Sequence, residues 1–253
     1  MIRIPILHAD ALEQFPSVGN ALDEPNGLLA AGGDLSPRRL LEAYRQGIFP
    51  WFSAGQPILW WSPDPRTVFA TDKVHISTKL RRWLRDCEWT IRADSAFVEV
   101  MRACAAPRPN QPNTWITTEI VHAYTALHQL GYAHSIEVYE GRQLVGGIYG
   151  VAVGRMFFGE SMFSARSNAS KVALLALCRG LHGWGFPLLD AQVESTHLTS
   201  MGAFEIPRAQ FVTAVAAHSR QTSVLGFWTD QWPVTDAKNL ASNLRLVATV
   251  KRQ

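Results

Sequence analysis

A chain of 253 residues, 47% hydrophobic and 18% charged, is long enough for one large domain or a small domain beside a larger one, and its composition excludes a disordered chain. The net charge of +3 permits a polyanionic partner without demanding one, although Arg outnumbers Lys nineteen to five and guanidinium is the better fork for phosphate. Three Cys, at positions 87, 104 and 178, are too few and too widely spaced for a disulfide framework or a thiolate zinc site. This argues for a reducing compartment and a cytosolic, soluble protein.

The first residues, MIRIPILHAD, carry too short an apolar stretch for a secretory signal. The longest apolar helical run, VALLALC, is too short to span a bilayer. FPSVGNALDEPNGLLAAGGDLSP is dense in Gly, Pro, Asn and Asp and reads as loop. SPRRLLEAYRQG then reads as a helix capped by Ser36, with Pro37 in its first turn and Gly47 past its end. The irregular, Trp- and Pro-rich IFPWFSAGQPILWWSPDPR follows, and the change of character near Ser62 to Pro65 sets the expected boundary between domains 1–64 and 65–253.

KVHISTKLRRWLRD predicts a helix capped by Ser77 or Thr78. Lys79, Arg82 and Arg85 share one of its faces, which suits either plain solvation or contact with phosphates. TWITTEIVHAYTALHQLG predicts a helix entered from an extended segment at Trp115, capped by Thr117 or Thr118, with Ile120, Ala123, Tyr124 and Leu127 as its apolar stripe. The period then changes to two. HSIEVYEGRQLVGGIYGVAVGRMFFGESMF contains three strands parted by turns at Glu140-Gly141-Arg142 and Gly154-Arg155. A helix over 168–184 and a short buried strand in PLLDAQVES come next. A helix, an antiparallel meander, a helix and a strand in that order make the class α+β.

Chemistry gathers in two places. Glu160 closes the apolar run FFGESMF, where a carboxylate is either a satisfied strand-end acid or part of a site. Asp190 and Gln192 stand at i and i+2 in LLDAQVE, and a buried strand carries such groups only with partners. Acids around one cavity would suit a cationic group or an amine awaiting deprotonation. GESMF lacks the second Gly of a nucleophile elbow, the glycines of VGGIYGVAVG have neither Walker A nor dinucleotide spacing, and the His residues form no metal-ligand pattern. No covalent nucleophile, metal or cofactor is expected. Trp51 and Trp115 lie in segments of low periodicity and could pack a domain joint or stack on a base.

The motifs NGLLAAGGDLSP, YRQGIFPWF, ILWWSPDPR, TWIT, HSIEV, LVGGIYGVAVG, FFGESMFS, NASK, LLDAQV and MGAFEIPR run in this order over residues 26–208. Together they closely resemble the bacterial leucyl/phenylalanyl-tRNA–protein transferases. That resemblance implies transfer of Leu or Phe, and less readily Met, from Leu-tRNA or Phe-tRNA to proteins beginning with Arg or Lys, marking them for degradation through the N-end rule. It implies a small N-terminal domain beside a larger GNAT-like acyltransferase domain with a central antiparallel sheet. It implies that Trp51 and Trp115 hold the 3′-terminal adenosine, that Glu160 helps hold the incoming peptide, and that Gln192 meets the attacking α-amine with Asp190 behind it. Members often carry Cys where this chain has Ala191. Ile148, Phe157, Met162 and Leu189 are candidates for the aminoacyl pocket, and Lys79, Arg82 and Arg85 for the tRNA surface. The expected partners are therefore aminoacyl-tRNA and acceptor proteins, with no membrane, and the expected state is a cytoplasmic monomer.

Overall fold

The structure is a computed structural model, and it describes residues 4–9, 14–107, 114–224 and 226–242. The described residues up to Trp61 contribute a four-stranded sheet of β1 (Ile6–Leu7), β2 (Leu28–Gly32), β3 (Phe49–Pro50) and β4 (Leu59–Trp61), in the order β1-β2-β4-β3. Between β2 and β3 runs helix α1 (Pro37–Arg45). Ser36 caps it by accepting from the Arg39 N–H, and Gly47 leaves it with φ +74°. The segment read as loop from its Gly and Pro content thus holds β2, the longest strand of this sheet. Its few residues are too short for the alternation that signals a strand.

A seven-stranded sheet follows, in the order β11-β5-β10-β9-β8-β7-β6. Its elements along the chain are β5 (Arg66–Ala70), α2 (Thr78–Arg85), β6 (Thr90–Ala93), α3 (Phe97–Ala105), α4 (Thr118–Gln129), β7 (Ala133–Glu140), β8 (Gln143–Val153), β9 (Met156–Ser164), α5 (Ala169–Gly183), β10 (Leu188–Gln192), α6 (Thr196–Ser200), β11 (Phe204–Ile206) and α7 (Arg208–His218). The expected caps hold: Ser77 accepts from Leu80 N–H and Thr117 from Ile120 N–H. The meander β7–β8–β9 turns where Gly141 and Gly154 supply positive φ, at +59° and +58°. The sheet is antiparallel except for one pair. β10 returns through α5 to lie parallel to β9, so the sheet is mixed. A parallel neighbour needs such a crossover, and α5 supplies it.

Alternation along β8 sorts the core into two layers. Tyr149, Val151 and Val153 join the layer of α1, α3 and α4, whereas Ile148 and Ala152 join that of α5. Gly146 lets α5 approach, for a Cβ there would lie 2.5 Å from the Ala169 Cβ. Among the described residues no helix is long and apolar enough to cross a membrane.

Candidate active site

The parallel pairing of β9 and β10 runs through Leu188–Met156, Leu189–Phe157 and Asp190–Phe158, and ends there. Just beyond, both strands lose register. On β9 the partners go from Gly150–Gly159 to Tyr149–Ser161, which leaves Glu160 without a cross-strand partner. On β10 the register with β5 shifts between Asp190 and Gln192, and Gln192 takes φ +65°. Two adjacent bulges open a wedge between parallel strands, and bulges re-aim side chains in this way beside active sites. Gly150 permits the first bulge, since a Cβ there would lie 2.2 Å from the Phe158 carbonyl oxygen.

Glu160 stands in the wedge, half-buried, within a small polar network. Tyr44 donates to Oε1 at 2.7 Å, Tyr124 donates to Oε2 at 3.0 Å, and Gln192 Nε2 donates to Oε1 at 3.0 Å. The two tyrosine hydroxyls also hydrogen-bond each other at 2.5 Å. Tyr44 comes from α1 and Tyr124 from α4, and both are fully buried. Burial pushes the Glu160 carboxyl up to about 7. The tyrosine donors oppose that rise, the charge of Asp190 adds to it, and Arg66 opposes it. Burial, with the nearby Glu160 charge, raises both tyrosines far above their usual range, so they remain donors.

Asp190 does not face the cavity. Both its oxygens are taken by Arg66, through Nε at 2.8 Å and Nη2 at 2.7 Å, with both side chains 0% exposed. The guanidinium also reaches the Gly47 carbonyl at 3.1 Å and lies over the rings of Phe49 and Phe211. Asp190 touches the site through the backbone, where the Gln192 N–H donates to its Oδ1 at 2.9 Å.

The wedge opens into a cavity of about 340 Å³, within the range of small-molecule sites. Trp51 and Trp115 stand on its wall, together with Glu160 and Gln192. Trp51 is 44% exposed, and its carbonyl accepts from Trp61 Nε1 at 2.7 Å. Ile148, Met162 and Leu189 also line the cavity, joined by Phe69, Leu174 and Leu198, which sequence reasoning did not name. Phe157 is a correction: it does not line the cavity but is buried against Trp228, ring centroids 5.8 Å apart. Lys79, Arg82 and Arg85 lie elsewhere, on α2, where Leu80 and Leu84 face the core. Lys79, Arg82 and Arg85 are all exposed there.

Tyr44, Tyr124 and Arg66 also escaped the sequence reading. Tyr124 was placed in an apolar stripe, and a tyrosine there must find a partner for its hydroxyl. That requirement was the available signal. Arg66 gave none, because an Arg after Pro reads as exposed loop. Among the described residues no group of three His, Cys, Asp or Glu could hold a metal.

Residues 68–216 match the family model described as leucyl/phenylalanyl-tRNA protein transferase, and residues 33–64 match that of its N-terminal domain. A leucyl/phenylalanyl-tRNA–protein transferase of Xanthomonas campestris pv. campestris (strain B100) is 57% identical over 237 residues, 93% of this chain and 95% of that protein. The protein of the same name from Xanthomonas euvesicatoria pv. vesicatoria (strain 85-10) is 59% identical over 231 residues, covering 91% and 92%. That from Xylella fastidiosa (strain M23) is 59% identical over 215 residues, covering 85% and 88%. A solved structure of L-PGS from Bacillus licheniformis overlaps at a TM-score of 0.34 and 8% identity, over 66% of this chain and 53% of that one. That likeness is too slight to carry an argument.

Proposed function

The chain belongs to the leucyl/phenylalanyl-tRNA–protein transferase family, and from that premise we propose how its cavity serves the reaction. The protein is an enzyme that moves an aminoacyl group from tRNA to the N-terminus of a protein. The aminoacyl ester is already activated, so the chain has to bring an amine to a carbonyl carbon and manage one proton. That is largely a matter of position, where good orientation supplies about 7–11 kcal/mol.

One observation carries the reading. Trp51, Trp115, Glu160 and Gln192 line the same cavity as an apolar wall. The tryptophans hold the 3′-terminal adenosine by stacking. The Leu or Phe side chain enters against Ile148, Met162 and Leu189, with Phe69, Leu174 and Leu198 completing the wall. Such a wall discriminates by only about 1–3 kcal/mol per methylene, so Met is accepted less readily but not refused. Glu160 holds the incoming α-amine, Gln192 orients it, and Asp190 fixes the backbone of Gln192 from behind. The acceptor begins with Arg or Lys, and the product carries a signal for N-end rule degradation. Lys79, Arg82 and Arg85 contact tRNA phosphates. Residues 1–64 act as a small domain that brings Trp51 and Tyr44 to a GNAT-like domain over 65–253, a fold reading supported by the parting of the parallel strands β9 and β10. The enzyme works as a cytoplasmic monomer without a cofactor.

The test is transfer of radiolabelled Phe from Phe-tRNA to a peptide beginning with Arg, beside RNase pretreatment and the variants Trp115→Ala and Gln192→Ala. Transfer that RNase abolishes and both variants reduce is the expected result. Tight tRNA binding without transfer would sink the reading in favour of a binding module.

A further inference from the structure

Three polar groups meet at the wedge, and their hydrogens can be counted. Tyr44 Oη lies 2.7 Å from Glu160 Oε1, Tyr124 Oη lies 3.0 Å from Oε2, and the two hydroxyls lie 2.5 Å apart. Two tyrosines bring two hydrogens to three contacts. An ionised Glu160 brings none, and one contact then joins two oxygens with nothing between them. A protonated Glu160 brings the third, and each contact has its hydrogen. The ionised form is nonetheless well held, by two hydroxyl donors and by Gln192 Nε2 at 3.0 Å. Neither protonation state leaves the carboxyl unsupported.

We propose that Glu160 is the catalytic residue that carries the proton during aminoacyl transfer, and that Tyr44 and Tyr124 are positioning residues that keep it serviceable in both protonation states. This rests on the reading that the cavity holds both substrates. The groups facing Glu160 leave no better carrier. From α1 and α4 come Tyr44 and Tyr124, which burial keeps protonated. From β8 comes Tyr149, also kept protonated by burial, whose hydroxyl is buried without a hydrogen-bond partner among the described residues. From β5 and β10 come Arg66 and Asp190, which are locked to each other. Gln192 has no proton to exchange. Glu160 alone combines access to the cavity with a carboxyl that burial brings near neutrality.

The step balances as follows. The α-amine nitrogen attacks the ester carbonyl carbon, a C–N bond forms, and the carbonyl π pair moves to oxygen. The Glu160 carboxylate takes one proton from the nitrogen, which has become cationic. The carbonyl re-forms, the bond to the ribose oxygen breaks, and Glu160 gives its proton to that oxygen. The amine hydrogen ends on the tRNA hydroxyl, and the enzyme is unchanged.

The experiment follows kcat against pH at saturating Phe-tRNA and Arg-peptide, for the native chain, Glu160→Gln, Tyr44→Phe and Tyr124→Phe. A native acid limb with its midpoint near 7 is expected. Glu160→Gln lowers kcat about 10²–10⁴-fold and removes the limb, with a smaller change in acceptor KM. Each Tyr→Phe change removes a donor to the carboxylate, which favours the acid form and moves the limb to higher pH. A limb set by the acceptor's own amine would not move. Infrared titration of the ligand-free chain adds a readout apart from activity: a carboxylic C=O band, absent in Glu160→Gln, should titrate near 7. The proposal is overturned if Glu160→Gln raises KM with kcat intact, if the tyrosine variants leave the limb in place, or if the band titrates near the ordinary 4.5. Native transfer with any of these results defeats the proton role alone. Absence of native transfer defeats the reaction reading and the role together.

Discussion

Replacing Asp190 by Ala removes one half of an ion pair in which both side chains are 0% exposed. The Arg66 guanidinium would keep its hydrogen bond to the Gly47 carbonyl and its place over Phe49 and Phe211, but no anion would face it. Breaking a buried pair from one side costs about 3–5 kcal/mol, because a charge stays buried and uncompensated. For a chain of this size each kcal/mol lowers the melting temperature by about 2–4 °C, so Asp190→Ala should melt roughly 6–20 °C below the native protein. Removing both partners, as Arg66→Met with Asp190→Leu, should recover most of the loss, since apolar replacement of a whole buried pair is often close to neutral. Thermal melting followed by tryptophan fluorescence and circular dichroism measures both. A single variant that melts within about 2 °C of native, or a double variant less stable than the single, would refute the argument.

The same variant separates framework from chemistry. Asp190 touches the site by accepting the Gln192 N–H at 2.9 Å and otherwise acts on Glu160 only through its charge. Transfer measured well below the variant's melting point and expressed per folded molecule should therefore fall by no more than about 10²-fold, the scale of a displaced orienting group. Loss of all transfer in a fully folded variant would mean that Asp190 meets the substrate itself.

Glu137 is 0% exposed, and burial pushes its carboxyl from 4.5 up to about 7 despite donors from Ser95 and Ser135. The native state thus holds a proton that the unfolded chain has released, so stability falls as pH rises from 4.5 through about 7, by about 3 kcal/mol at 1.36 kcal/mol per unit. Glu137→Gln should flatten that fall in urea midpoints taken across the window, and an unchanged slope would count against it. Gly146→Ala should cost roughly 1–3 kcal/mol in the same assay, because the new Cβ would lie 2.5 Å from the Ala169 Cβ at the start of α5. Arg82→Glu with Arg85→Glu should weaken tRNA binding and reduce the slope of log K against log salt by about 0.9 for each duplex phosphate that the protein no longer neutralises. An unaltered slope would move the tRNA surface off α2.

Elements with a long period were legible in the chain. The stripe of α4 and the alternation of β7–β8–β9 needed only a count of apolar positions, and the turns fell at Gly141 and Gly154 because both carry positive φ. The expected antiparallel pairing holds along the meander, and the sheet departs from it at one pair, β10 with β9. The direction of β10 is set by the crossover through α5 and by what its edges pair with, and neither is written in LLDAQ. Phe157 was misplaced for a related reason. Alternation gives a residue its side of a sheet, but not whether a distant aromatic such as Trp228 will cover it. Glu160, Gln192, Trp51 and Trp115 were nameable because polar or aromatic residues stood where periodicity did not need them, or because they matched family motifs. Arg66 and Tyr44 stood where their residue types are ordinary, and only the tertiary fold gives them work.

The wedge explains why the site needs residues from both sheets. Parallel strands that stay paired satisfy their own backbone groups and leave no room for a substrate. β9 and β10 part after Phe158 and Asp190, and the side chains at the parting must then be held by something other than the ladder. Glu160 is held by Tyr44 and Tyr124, and Asp190 by Arg66, which is itself held by Gly47 and Phe49. Tyr44, Gly47, Phe49 and Trp51 all come from the stretch running from the end of α1 into β3 and just beyond it. A disturbance of that stretch should therefore reach the Trp51 wall of the cavity, the Glu160 carboxyl and the Arg66–Asp190 pair at once. The small sheet is thus part of the framework of the cavity, because Tyr44, Gly47 and Phe49, which hold Glu160 and Arg66, are carried on its side.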